Sequence, residues 1–171
     1  MSSNSPLPIL LTIKFSHYNE FARWSLQHCK IDFLENGFAP VQHVPAVSKA
    51  TKGITEKIFF SDSNFYNPNK EKNTSTGTPV MILKDKTNHR ILADSWAIAE
   101  YAFTTSGRHK PLFIRPDVIQ LGRILNEQVG PCVRTITYSY VLSPKNKNVF
   151  FGMCTDGMIF FHNYYSYCTV L

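Results

Sequence analysis

The sequence predicts an α/β fold followed by a helical region, and three observations predict it. An almost unbroken apolar run over residues 8–15 is typical of a strand buried on both faces. The hydrophobic period then becomes that of a helix over 19–30 and that of a strand over 31–36. Beyond residue 116, apolar residues recur at helical spacing. The chain of 171 residues is 43% hydrophobic and 18% charged, so it can bury a core and is not disordered by composition.

The second half of the α/β unit follows a long connection. Residues 37–78 have weak periodicity, and within them 53–60 could form a short helix or an extra strand. Residues 79–83 and 89–93 predict an antiparallel hairpin with turn residues between its strands. A helix follows directly, with Asp94 or Ser95 as its N-cap and a buried stripe of Ile98, Tyr101 and Ala102. The predicted order is β-α-β-(long connection)-β-β-α.

The rest of the chain predicts helices and an aromatic tail. Residues 104–116 are typical of a linker, and a helix is expected over 117–142, interrupted at Gly130-Pro131. The last segment, 148–171, has seven Phe or Tyr residues, one charged residue and no clean period. We therefore expect the tail either to pack on the apolar face of the 117–142 helix or to mediate self-association. We expect that face to be partly uncovered.

Charge and cysteine usage exclude several function classes. The net charge is +6, but the basic residues are scattered, which favours a solvated basic surface over a nucleic-acid footprint. No run approaches eighteen apolar residues and no basic region precedes the N-terminal apolar stretch, so neither a membrane helix nor a signal peptide is expected. The cysteines lack metal-ligand pairing, which favours reduced thiols, a cytoplasmic location and no metal; they are Cys29, Cys132, Cys154 and Cys168.

Three polar motifs lie at the ends of predicted elements. Ser16 connects the first strand to the first helix, Thr78-Pro79-Val80 opens a later strand, and Asp94-Ser95 opens the helix after the hairpin. A helix N-terminus favours an anion, so Ser16 is a candidate donor to one, and the alternative is a serine that only caps the helix. The Tyr18 hydroxyl is close enough in sequence to donate in its place.

With these motifs in this order, residues 9–105 resemble the thioredoxin-like N-terminal domain of the glutathione transferase superfamily. FSHYNEFARWSL is similar to the family's first strand–helix junction, TPV to its cis-proline turn, and ADSWAIAEYA to its Glu/Asp-Ser-x-x-Ile-x-x-Tyr motif. NEQVGPCVRTITYSYVL is similar to helical sequence of the family's second domain. The resemblance implies a thioredoxin-like glutathione-binding domain over 1–105 with the order β-α-β-(α)-β-β-α, a linker over 106–116 and a shortened helical region over 117–171. It also implies that the 37–78 connection holds a helix that borders the glutathione site.

The resemblance also implies a function and its residues. Ser16 would stabilise the glutathione thiolate, with Tyr18 as the other candidate. A cis Thr78-Pro79 bond would let the Val80 backbone pair with the cysteinyl part of glutathione, and Asp94 and Ser95 would hold the γ-glutamyl end. The thiolate would attack an electrophilic carbon or reduce a peroxide. Expected partners are glutathione as co-substrate, a small electrophile and, as an open alternative, a second copy of the chain, with no nucleic acid, membrane or metal.

A different class of function competes with this one. Few helices follow the linker, so a non-catalytic thioredoxin-like interaction module that lost activity with its shortened second domain is the alternative. Trp24, Trp96 and Tyr101 are expected in the core rather than at a ligand. His28 is expected to be a core histidine and Cys132 a buried thiol.

Overall fold

The computed structural model describes residues 6–14, 16–60, 77–84, 89–107 and 116–155. The strands are β1 (Ile9–Ile13), β2 (Leu34–Phe38), β3 (Glu56–Ile58), β4 (Val80–Lys84) and β5 (His89–Leu92). The α-helices are α1 (His17–His28), α2 (His43–Thr51), α3 (Ser95–Thr105), α4 (Pro116–Ile124), α5 (Gly130–Val141) and α6 (Lys147–Thr155).

The described strands form one mixed sheet in the order β2-β1-β4-β5-β3. β1 is parallel to β2 and antiparallel to β4, whereas β5 is antiparallel to β4 and parallel to β3. The α/β class that the sequence predicts is therefore confirmed, and so is the antiparallel hairpin of β4 and β5. Of the two alternatives for residues 53–60, the structure has the strand, β3.

The two faces of the sheet are covered by different helices. Leu10 of β1 belongs to a buried cluster with residues of α1 and α3, including Leu26 and Ile98. Leu11, the next residue, belongs to a second cluster on the opposite face with Val47 of α2. Successive side chains of a strand point to opposite faces, so an apolar run is what a strand covered on both sides requires.

The structure refines two parts of the sequence prediction, the start of β2 and the 37–78 connection. β2 begins at Leu34 rather than at residue 31, because Lys30, with φ of 55°, ends α1 and the Ile31 N–H bonds back to the Leu26 carbonyl. Residues 31–33 are thereby used as a connection. Helix α2 lies inside the 37–78 connection, where the resemblance implies a helix although no residue pattern located its bounds. Residues 61–76 of that connection lie outside the described residues.

The buried face of α1 is also rotated from the predicted one. Its buried residues are Asn19, Ala22, Ser25 and Leu26, whereas Trp24 is 63% exposed and His28 is exposed. The core assignments of Trp24 and His28 were therefore wrong, because small residues rather than large aromatic ones let this helix approach the sheet closely. Cys132 is also exposed, not buried, whereas Tyr101 packs against the core and Trp96 is half-buried.

The predicted 117–142 helix is continuous through Gly130-Pro131. A π-helical turn over Leu125–Val129 joins α4 to α5, and the Gly130 N–H donates to the Leu125 carbonyl, five residues earlier. Pro131 has no N–H and its ring would crowd the preceding turn, so one residue is accommodated as a bulge instead of a break. Helix α6 occupies the start of the 148–171 segment, where the sequence shows no clean period, and residues 156–171 lie outside the described residues.

Candidate functional site

The strand register brings the three polar motifs to one edge of the sheet, at the end where β1 and β5 finish and β4 starts. Leu11 pairs with Val80 and Met81 pairs with Leu92, so β1 and β5 end where β4 begins. Helices α1 and α3 both begin at that edge, directly after β1 and β5. Ser16, Thr78–Val80 and Asp94-Ser95, which are far apart in sequence, are thus neighbours in the fold.

Asn19 joins two of these motifs and was missed by the sequence analysis. Its Nδ2 donates to the Ile13 carbonyl at the end of β1 (3.0 Å) and lies 3.4 Å from the Thr78 hydroxyl. The residue is fully buried, and its Oδ1 has no hydrogen-bond partner in the described part of the chain. Its helical spacing from Ala22 and Leu26 was the signal that could have placed this polar side chain on the buried face.

Ser16 occupies the N-cap position of α1 without acting as a side-chain cap. Its backbone is extended (φ −92°, ψ 119°), and its carbonyl accepts the Glu20 N–H at 3.0 Å, but its hydroxyl makes no capping hydrogen bond. The side chain is half-buried. The alternative in which Ser16 serves only as a helix cap is therefore not the arrangement in this structure.

The second motif, Thr78–Val80, lies at the start of β4, where Val80 pairs with Leu11 of β1. The Thr78-Pro79 peptide bond is cis, as the resemblance implies. Pro79 is buried, and the Val80 side chain is fully enclosed in the cluster that faces α2. Because that side chain lies in the core, a ligand at this motif would meet backbone groups rather than the Val80 side chain.

The third motif caps α3. Oδ1 of Asp94 accepts hydrogen bonds from the backbone N–H groups of Trp96 (2.9 Å) and Ala97 (2.8 Å), and Asp94 and Ser95 are both buried. The predicted N-cap is thus Asp94 rather than Ser95. A role of either residue in holding a ligand is compatible with this cap and remains a prediction.

Tyr18 turns away from α1 toward the helical region. Its hydroxyl lies 3.5 Å from the Asn126 carbonyl, within the π-helical turn. That carbonyl lacks its usual helical donors, because the Gly130 N–H bonds to Leu125 and Pro131 has none. A Cβ on Gly130 would clash with the Tyr18 hydroxyl, so glycine is needed at this contact.

Arg134, one turn beyond Gly130, completes a small polar cluster with His17 and Tyr18. Its guanidinium carbon lies 5.7 Å from the Tyr18 ring centroid, and Nη2 lies 3.5 Å from the Tyr18 hydroxyl oxygen. The His17 and Tyr18 ring centroids are 3.9 Å apart. Partial burial, and secondly the positive charge of Arg134, lower the pKa of His17. Arg134 was not among the site residues predicted from the sequence, although the nearby Gly130-Pro131 was predicted to interrupt the helix.

A second glycine fixes the helical region against the start of α3. A Cβ on Gly122 would clash with the Trp96 ring, which also lies 5.2 Å from the Phe21 ring and 5.7 Å from the Phe60 ring between centroids. Gly122 and Gly130 therefore bring one side of the α4–α5 helix against both helices that begin at the candidate site. This contact gives the site a wall from the helical region.

The described residues contain no cluster of His, Cys, Asp and Glu that could hold a metal ion. None of the described helices is both long and apolar enough to cross a membrane. Comparison of the chain with protein-family models, curated proteins and solved structures finds no match in any of the three.

Proposed function

We propose that the chain is a glutathione transferase-like enzyme built on a thioredoxin-like domain. The observation that carries the proposal is the register that brings Ser16, Thr78–Val80 and Asp94-Ser95 to one sheet edge. The same motifs carry the resemblance in sequence. The parallel β1–β2 pair beside the antiparallel β1–β4–β5 run supports the thioredoxin-like arrangement, with β3 as an additional edge strand.

The chemistry of the edge suits a peptide with carboxylates and a thiol. Two helix N-termini meet there, and each presents backbone N–H groups and the positive end of a dipole. At α1, the Ser16 hydroxyl makes no capping hydrogen bond and could donate to a sulfur anion. At α3, Asp94 and Ser95 would hold the ammonium and carboxylate of the γ-glutamyl end, and the Val80 backbone would pair with the cysteinyl part.

The proposed reaction starts from the glutathione thiol, which loses its proton to solvent. Stabilisation of the thiolate by Ser16 and the α1 N-terminus lowers the thiol pKa, as at protein thiols beside helix N-termini. The sulfur then forms a bond to an electrophilic carbon, and the leaving group departs with its electron pair. With a hydroperoxide, the sulfur attacks the terminal oxygen, the O–O bond breaks, and the alkoxide leaves and takes a proton, which gives an alcohol and glutathione sulfenic acid. A second glutathione thiol then attacks that sulfur, and water leaves as the disulfide forms. Tyr18 remains the alternative donor, although its hydroxyl faces the π-helical turn.

A second candidate function is a non-catalytic thioredoxin-like interaction module. One observation favours it: the α4–α5 helix exposes a row of large apolar side chains, with Ile136 at 68% exposure. The others are Leu121, Leu125, Val129, Val133 and Tyr140. Such a row is typical of a surface that another polypeptide covers.

Calorimetric titration with glutathione, followed by a rate assay with chlorodinitrobenzene, separates the two functions. The enzyme proposal requires saturable binding and a glutathione-dependent rate above the uncatalysed reaction. Binding without turnover favours the interaction module. Absence of binding contradicts the glutathione site in both forms.

A further inference from the structure

We propose that Arg134 makes the site selective for electrophiles that carry a negative charge, such as a carboxylate or sulfonate. The inference rests on the proposed glutathione site and adds the class of its second substrate. It starts from the polar cluster of His17, Tyr18 and Arg134, which the thiolate chemistry of Ser16 does not use.

The cluster lies directly beside Ser16. His17 and Tyr18 are the first two residues of α1, and Arg134 reaches them from α5. The approach depends on Gly130, because a Cβ there would occupy the position of the Tyr18 hydroxyl. The helical region thus supplies one cation to the rim of the site at a position fixed by a close helix contact.

No carboxylate among the described residues pairs with Arg134. In contrast, Arg23 pairs with both Glu20 and Glu35. Arg134 instead contacts the Tyr18 ring and hydroxyl. The residue is exposed, so its remaining guanidinium donors can reach a ligand.

The surroundings favour an anion over a neutral or cationic ligand. Partial burial, and secondly the positive charge of Arg134, lower the pKa of His17, in keeping with the position of Arg134 beside the start of α1. A carboxylate placed between Arg134 and the α1 N-terminus would accept charge-assisted hydrogen bonds. A ligand with a positive charge would be repelled from the same place.

The test uses two probes that differ by one carboxylate, dinitrobenzoate and dinitrobenzene, titrated into the full chain by calorimetry. We expect dinitrobenzoate to bind more tightly, and its preference over dinitrobenzene to fall about tenfold in Arg134→Gln, as loss of one charge-assisted hydrogen bond predicts. Arg134→Lys should retain part of the preference. Lys145→Gln is the matched control, because it removes one exposed positive charge from the same region without touching the cluster. It should retain the full preference.

The outcomes separate this inference from the proposed function. A preference that survives Arg134→Gln, or that falls equally in Lys145→Gln, overturns the role of Arg134. Glutathione binding without any preference for dinitrobenzoate overturns the inference and leaves the glutathione site intact. An Arg134-dependent preference without glutathione binding supports an anion site and overturns the glutathione transferase proposal instead.

Discussion

Ser16 and Asp94 stand at equivalent positions before α1 and α3, yet the fold uses their side chains differently. Asp94 accepts two backbone hydrogen bonds from the first turn of α3, whereas the Ser16 hydroxyl caps nothing. The carboxylate of Asp94 therefore contributes to stability whatever else it binds. The Ser16 side chain adds no capping hydrogen bond to α1.

This contrast gives a paired prediction. Ser16→Ala should change the free energy of unfolding by less than about 0.5 kcal/mol, whereas Asp94→Ala should lower it by about 1–2 kcal/mol through loss of the cap. Ser16→Ala should also raise the pKa of the bound glutathione thiol, measured from thiolate absorbance. A pKa unchanged in Ser16→Ala but shifted in Tyr18→Phe would identify Tyr18 as the donor.

A second residue-scale feature is the ion pair between Arg23 and Glu35, which ties α1 to β2. Nε of Arg23 donates to Glu35 at 2.8 Å, and the Thr12 hydroxyl donates to the same carboxylate at 2.6 Å. Burial alone would raise the pKa of Glu35, but the hydrogen bonds from Arg23 and Thr12, together with the charge of Arg23, lower it on balance. The folded state therefore favours the carboxylate.

The sign of this shift predicts a pH dependence. Stability from the Glu35 carboxylate is present above its unfolded pKa of about 4.3 and is lost as the pH falls through the lower folded pKa. Glu35→Gln should lower the free energy of unfolding by about 1–2 kcal/mol at neutral pH, and this difference should shrink below about pH 4. Urea unfolding across pH measures it, with exposed Glu127→Gln as control. A difference that stays constant down to pH 3 would contradict the pairing.

At the scale of elements, glycines determine how the helical region meets the sheet domain. Gly122 faces Trp96 and Gly130 faces Tyr18, whereas the large side chains of Leu121, Val133 and Ile136 are exposed. The π-helical turn between them places the Asn126 carbonyl near the Tyr18 hydroxyl. On the α4–α5 side, this contact is therefore made by two glycines and a backbone carbonyl.

Gly130→Ala tests this docking. Alanine would normally stabilise a helix relative to glycine by up to about 1 kcal/mol, but at Gly130 the added methyl meets Tyr18 and should cost about 1–3 kcal/mol instead. Gly152→Ala is the matched control, because no atom lies within 4 Å of a Cβ added in α6. Chemical unfolding should show opposite signs for the two variants, and equal stabilisation by both would show that the Tyr18 contact is not tight.

Sequence patterns predicted the elements that bury the most apolar surface. β1 and β4 are short apolar runs and α3 has a clear cap and buried stripe, so the order of these elements could be predicted together with the positions of Ser16, Thr78 and Asp94 at their ends. The bounds of α2 could not be predicted from the residue pattern because only Val47 and Thr51 of its nine residues are buried. The close contacts at Gly122 and Gly130 and the position of Arg134 could not be predicted, because neither a glycine nor an exposed cation contributes to a hydrophobic pattern.

At the scale of the whole molecule, the α4–α5 helix exposes a row of large apolar side chains. The expectation that this face is partly uncovered is confirmed for the described residues. Residues 156–171 contain five Phe or Tyr residues and one charged residue. Helix α6, which precedes them, contacts the loop before α2, since the Gln42 side chain donates to the Cys154 carbonyl at 3.3 Å.

A chain ending at Thr155 separates the tail from that contact. We expect removal of 156–171 to raise solubility and leave glutathione binding unchanged, because aromatic doublets without flanking charges promote association. Light scattering and thermal unfolding measure the effect, and replacement of the five aromatic residues by serine in the full chain is the control. A lower melting temperature with increased dye binding would instead show that the tail covers the apolar row.

A glutathione titration followed by backbone amide NMR would locate the proposed binding site on the fold. We expect saturable shifts concentrated in three segments, 16–20, 78–81 and 94–97, because these meet at one end of the β1, β4 and β5 strands. Amides of α6 and of the exposed side of α5 should stay unchanged. Shifts confined to other surfaces, or none at saturating glutathione, would contradict the proposed site.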